Sequence, residues 1–137
     1  MNELSEQIKE WIKKAEHDLG SAKIIFLYLP DYSDTIAFHC QQAVEKYIKA
    51  IMVYKEIEFQ RSHDLIYLLE LLSSVSEISK DRYKKAVSLN GYSVQIRYPD
   101  KIVKLSRKEL EDAIAISQEF RTFAIEQIGI EEINTGS

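Results

Sequence analysis

SDTIAFHCQQAVEKYIKAIMVYK, residues 33 to 55, reads as one helix with two different sides, and the rest of the architecture follows from it. Ile36, Cys40, Ala43, Tyr47, Ala50, Ile51 and Tyr54 fall on one side at helical spacing, and Val44 and Ile48 widen the apolar surface. More than half of this helix's circumference is therefore expected to be buried. On the remainder, at 100° per residue, His39, Gln42, Lys46 and Lys49 share an arc of about 80°. Glu45 lies beside them and is placed to pair with Lys49 at the i,i+4 spacing. The small Ala43 and Ala50 border the stripe and leave room for another helix or a flat ligand. The arc reads either as a docking edge or as ordinary solvated residues beside a core stripe, with His39 satisfied locally.

On the N-terminal side of this helix, Ile8, Ile12, Ala15, Leu19, Ala22, Phe26 and Leu29 draw one apolar stripe down a helix from about Ser5 to Leu29. Pro30 stops it, and Ser33 is a candidate N-cap for the next helix. So short a connection makes the two helices antiparallel neighbours. On the other side, a polar loop over Glu56 to Arg61 precedes Ser62, a candidate cap for a third helix carrying Leu65, Ile66, Leu68, Leu69, Leu71, Leu72 and Val75. A short helix over about Asp81 to Leu89 ends at Asn90-Gly91, and Pro99 biases Tyr98 toward an extended conformation. Ser106 and Glu109 form a capping box for a last helix reaching Ile128, and Gly129 ends it. Strand-period alternation is nowhere sustained. The expectation is an all-α antiparallel helical bundle of four main helices plus a short helix, a single domain over residues 1–128 with a frayed tail over 129–137.

The totals agree. The 137 residues hold 45% hydrophobic and 29% charged side chains, with only four Gly and two Pro, which favours long helices over disorder. A net charge of −4 speaks against a whole-surface affinity for nucleic acid, but a local basic patch remains compatible with it. One cysteine, Cys40, excludes an intrachain disulfide and fits a reducing compartment. Met1 to Glu10 has neither the basic start nor the apolar run of a signal peptide, and Ile24 to Leu29 is too short to span a bilayer, so a cytoplasmic protein without membrane contact is expected.

Several chemistries fail on spacing. The residues three before His17, His39 and His63 are Lys14, Ile36 and Gln60, so the Glu-x-x-His pairs of a di-iron bundle are absent. There is no His-Glu-x-x-His zinc motif and no phosphate-binding glycine loop, and no metal or cofactor is expected. Cys40 sits on the buried side of its helix, away from any base that would activate it. Two further places carry polar groups. Arg61, Ser62 and His63 surround a helix N-terminus, which attracts anions unless it is simply capped. Tyr92, Arg97 and Tyr98 place a guanidinium between two phenols, suited either to gripping a phosphate or stacking on a base, or to pinning the loop onto the bundle.

Three pieces in this order resemble the HEPN family: Ala15-Glu16-His17-Asp18-Leu19, then Ala37 to Ala50 (AFHCQQAVEKYIKA), then His63-Asp64-Leu65, with Tyr92 and Arg97-Tyr98-Pro99 following. The resemblance covers roughly residues 8 to 128. It implies an antiparallel helical bundle that commonly dimerises, is often encoded beside a small nucleotidyltransferase and is associated with nucleotide or RNA binding. Many members of that family are metal-independent ribonucleases of toxin systems, using an Arg followed after four to six residues by His. The present chain departs from that motif: Tyr98 to Lys104 contain no His, and His63 follows Arg61 too closely. No catalytic residue is assigned.

The first functional expectation is a non-catalytic homodimer that binds a nucleotide or RNA, or a nucleotidyltransferase partner, through His39, Gln42, Lys46, Lys49, His63, Tyr92, Arg97 and Tyr98. The second is a ribonuclease with a rearranged site, Arg97 stabilising the phosphorane and His39 or His63 supplying the acid or base. The third is a purely structural dimerisation module.

Overall fold

The computed structural model describes residues 3–90, 92 and 104–129, and among these it contains five helices and no strand. They are α1 (Glu3–Tyr28), α2 (Ser33–Tyr54), α3 (Leu65–Leu72), α4 (Lys80–Asn90) and α5 (Arg107–Ile128). Helix α2 is the axis of the bundle. It packs against all four others, and Ile36, Ala43, Val44, Tyr47, Ile48, Ala50 and Ile51 are fully buried on it. Ile12, Ala15, Leu19 and Ala22 of α1 close the core from one side, and Leu110, Ala113, Phe120 and Ala124 of α5 from another.

The cross-helix contacts set the directions. Asp18 of α1 meets His39 and Lys46, whereas the earlier Trp11 meets Lys49, so α1 and α2 run antiparallel. Ser33 meets Leu105 and Cys40 meets Ser117, so α5 runs parallel to α2 after the α3–α4 pair has turned the chain back. Asn90 reaches Asp64 and Tyr83 reaches Leu69, which makes α3 and α4 antiparallel to each other.

Local chemistry fixes the ends, in places differently from expectation. Ser33 is not the cap of α2. Tyr32 holds that position without a side-chain bond, and the Ser33 hydroxyl instead accepts the Leu105 N–H at 3.3 Å. Nor does Ser62 cap α3: Asp64, with φ −85° and ψ 108°, accepts from the N–H groups of Ile66 and Tyr67 at 3.0 and 3.4 Å. An anionic side chain two residues closer to the helix complements its dipole better than a serine. Helix α3 stops at Leu72 because the Ser73 and Ser74 hydroxyls donate back to the carbonyls of Glu70 and Leu71, a competitor to further helix. With 8 residues it is shorter than α4, which has 11, so the short helix of the bundle is the third and not the fourth. The Ser106–Glu109 capping box is present, and Gly129 closes α5 at φ 81°, a left-handed conformation suited to glycine.

Candidate functional site

The polar arc of α2 is not a solvated rim. Two carboxylates organise it, each holding one histidine and one lysine. Asp18, from α1, accepts from His39 Nδ1 at 2.8 Å on one oxygen and from Lys46 Nζ at 2.5 Å on the other. Glu45, from α2 itself, accepts from His63 Nδ1 at 2.8 Å and, on its second oxygen, from Lys49 Nζ at 3.0 Å. A carboxylate only accepts, so in both pairs the proton sits on Nδ1 and Nε2 is the nitrogen left for other work. Gln42 stands between the two groups, donating to Gln41 Oε1 at 2.7 Å, and Gln41 in turn donates to the His63 carbonyl at 2.9 Å. Through that amide pair the α2–α3 connection is tied to α2.

Burial grades these groups. The side chains of Glu45 and Lys49 are 3% and 6% exposed, so they form a buried pair. Lys46, His39 and His63 are open to 21%, 27% and 47%. Burial pushes the Asp18 carboxyl up, but the hydrogen bonds and positive charges of His39 and Lys46 outweigh it and hold the carboxyl below its ordinary value. A third carboxylate, Glu16, accepts from the Tyr47 hydroxyl at 2.5 Å and from Arg121 Nε at 2.6 Å, joining α1, α2 and α5. Burial and then the Glu16 carboxylate push the Tyr47 phenol up, so it stays protonated. No buried side-chain nitrogen or oxygen among the described residues lacks a partner.

Lys49 owes its burial to two rings. Its ammonium lies 5.3 Å from the Trp11 ring centroid and 5.8 Å from that of Phe59, and the two rings meet edge to face at 6.5 Å. Each contact is a cation–π arrangement.

The sequence profile of the HEPN domain matches residues 8–128, the span that contains all three carboxylate clusters. The chain belongs to the HEPN domain family. Among relatives of this HEPN chain is a protein named "Putative toxin MJ1304" from Methanocaldococcus jannaschii, 30% identical over 91% of this chain and 93% of that one. Two crystal structures share the fold. TT1696 from Thermus thermophilus is 27% identical with a TM-score of 0.72, covering 88% of this chain and 98% of its own. ST0689, an archaeal HEPN homologue, is 24% identical with a TM-score of 0.71, covering 88% and 97%.

Within the HEPN bundle the residues expected at the site divide into groups. His39, Gln42, Lys46, Lys49 and His63 come together on one face. Tyr92 is partly buried against the core, and burial, then the Glu109 carboxylate, push its phenol up. Among the described residues no hydrogen bond or ion pair joins it to that face. Arg97 and Tyr98 lie outside the described residues. The α3 N-terminus offers no open anion seat, since Asp64 takes the N–H groups of Ile66 and Tyr67 and Asn90 Oδ1 takes that of Leu65 at 2.7 Å. Asp18, Trp11 and Phe59 are the participants that sequence reasoning missed. A signal existed on α1: Trp11, Lys14 and Asp18 stand at i, i+3 and i+7, a stripe of their own. No helix of the described residues is long and apolar enough to cross a membrane, and none of them form a cluster of three or more metal-ligating side chains.

Proposed function

We propose that this HEPN protein is a non-catalytic homodimer that binds a nucleotide or RNA and works with a small nucleotidyltransferase partner in a cytoplasmic toxin–antitoxin type system. The observation that carries the reading is the gathering of His39, Lys46 and His63 on one face around Asp18 and Glu45. Protonation of either imidazole adds a positive charge to a surface already rich in N–H donors, which is what a phosphate requires. Kinship with a protein named as a toxin supports the biological setting. Exposed Ile24, Leu27 and Tyr28 near the end of α1, followed by Leu29 and Tyr32, supply apolar surface for a second copy.

Calorimetric titration of the purified protein with AMP and with short RNA tests the binding. Lys46→Ala is expected to weaken it at least severalfold, and an unchanged affinity removes the arc from the proposal. Lys46 is the appropriate probe because Lys49 is enclosed.

One observation favours a second reading, metal-independent RNA cleavage. A histidine fixed through Nδ1 by a carboxylate, with Nε2 left over, has the arrangement of a general base or acid, and the face carries two of them. Cleavage of structured RNA in the presence of a chelator, lost in both His39→Ala and His63→Ala, would install this reading in place of the first.

A further inference from the structure

Trp11 and Phe59 are more than a cover for Lys49. We propose that this ring pair is the seat of a nucleobase, and that the phosphate of the same nucleoside phosphate lies against Lys14 and His63. The inference rests on the nucleotide-binding reading above and gives that site a direction.

Four observations support it. The rings meet at 61°, so together they form a corner in which a planar group stacks on one ring and meets the edge of the other. Both rings are only partly buried, although they back onto the core. Their cations are of two kinds. Lys49 is fixed by Glu45 and enclosed, whereas Lys14, one turn along α1 from Trp11, is exposed and lies 5.8 Å from the Trp11 centroid. A base entering the corner can displace the Lys14 ammonium from the ring and meet it again at the phosphate. Finally, the imidazole of His63 is held on the same Glu45 carboxylate that holds Lys49, which connects the ring corner to an exposed imidazole four residues beyond Phe59 whose Nε2 donates to a phosphate when the ring carries its second proton. A flat aromatic group carrying an anion uses all of these features. An aliphatic anion leaves the rings idle, and a neutral aromatic leaves Lys14 and His63 idle.

Trp11 is the chain's only tryptophan, so its emission reports on the corner directly. The probes are AMP, pentaadenylate RNA, and ribose 5-phosphate as the base-free ligand. AMP or pentaadenylate is expected to quench Trp11 and ribose 5-phosphate to leave it unchanged, and the tighter of the two adenine ligands assigns the source as free nucleotide or RNA. Phe59→Leu should weaken the adenine ligands about tenfold and spare ribose 5-phosphate, with helicity by circular dichroism unchanged. Trp11→Phe, followed by calorimetry, should retain affinity that Trp11→Leu loses. Adenine ligands that bind with sensitivity to Lys46→Ala, yet neither quench Trp11 nor respond to Phe59→Leu, would overturn the base seat and leave the binding function standing. No binding of AMP, RNA or ribose 5-phosphate would overturn both.

Discussion

Asp18 shows how a residue inconspicuous in the sequence governs a site. It is mostly buried, which by itself disfavours its charge, and it is kept charged by His39 and Lys46. Asp18→Asn should therefore cost about 1–3 kcal/mol at neutral pH, less than a fully buried pair because Lys46 retains some access to water. Its pH dependence follows from the lowered folded-state value. The contribution is complete above the ordinary carboxyl value of 3.8 and is lost as pH falls through the lower folded value. Urea unfolding of the parent and of Asp18→Asn should consequently differ at neutral pH and converge as pH falls through that lower value. Cys40 gives a second prediction at this scale. Burial pushes its thiol up to about 12, so iodoacetamide should not modify it in the native protein and should do so readily in urea, as read by mass spectrometry. Its burial was legible in the sequence, because Cys40 lies on the apolar side of α2. The role of Asp18 was not, because a carboxylate's partners come from another helix and only the packing of α1 on α2 supplies them.

At the level of the helix, apolar spacing and turn signals located the five helices of the described residues, and the errors lay at their ends. Ser33 and Ser62 are both plausible caps by residue type, but in each case another group claims the position: the Leu105 N–H engages Ser33, and Asp64 outcompetes Ser62. The difference is measurable. Asp64→Ala should destabilise the fold by about 1 kcal/mol, and more if Asn90, which donates to Asp64 at 2.9 Å, is loosened with it. Ser62→Ala should have a much smaller effect in the same denaturation experiment. A capping box needs two matching residues at fixed spacing, whereas a lone serine does not, which is why Ser106–Glu109 was readable and the other two starts were not. The same limit applied to the site. One helix at 100° per residue grouped His39, Gln42, Lys46 and Lys49, but Trp11, Phe59 and His63 reach that group only once α1 and the α2–α3 connection have folded onto α2.

For the whole molecule, the all-helical bundle was the most legible property, since breakers are scarce and apolar stripes are long. What the stripes did not convey is where apolar surface remains after folding. Helix α2, the most apolar in its breadth, is consumed within the bundle, and the surplus lies instead at the α1–α2 turn, with Leu27 70% exposed and Tyr28 73%. Light scattering should give twice the 15.9 kDa chain mass for the parent, and Leu27→Asp with Tyr28→Asp should reduce it to one chain without loss of helicity. A parent already at 15.9 kDa would remove the homodimer from the proposal.

The two carboxylate clusters that α1 contributes, those of Glu16 and Asp18, also act as a ruler. An apolar stripe looks much the same after a slip of one turn, about 5.4 Å, because leucines, isoleucines and alanines substitute for one another in a core. Glu16 and Asp18 of α1 tolerate no such slip, because their donors Tyr47, Arg121, His39 and Lys46 stand on other helices and each carboxylate would be left without them in a place water reaches poorly. The polar face thus fixes the vertical alignment of α1 on α2, while the apolar face supplies the adhesion. Replacing Glu16, Asp18, His39 and Lys46 together with apolar residues of similar volume is expected to preserve helicity and thermal stability while broadening the amide spectrum, as alternative alignments of α1 become populated.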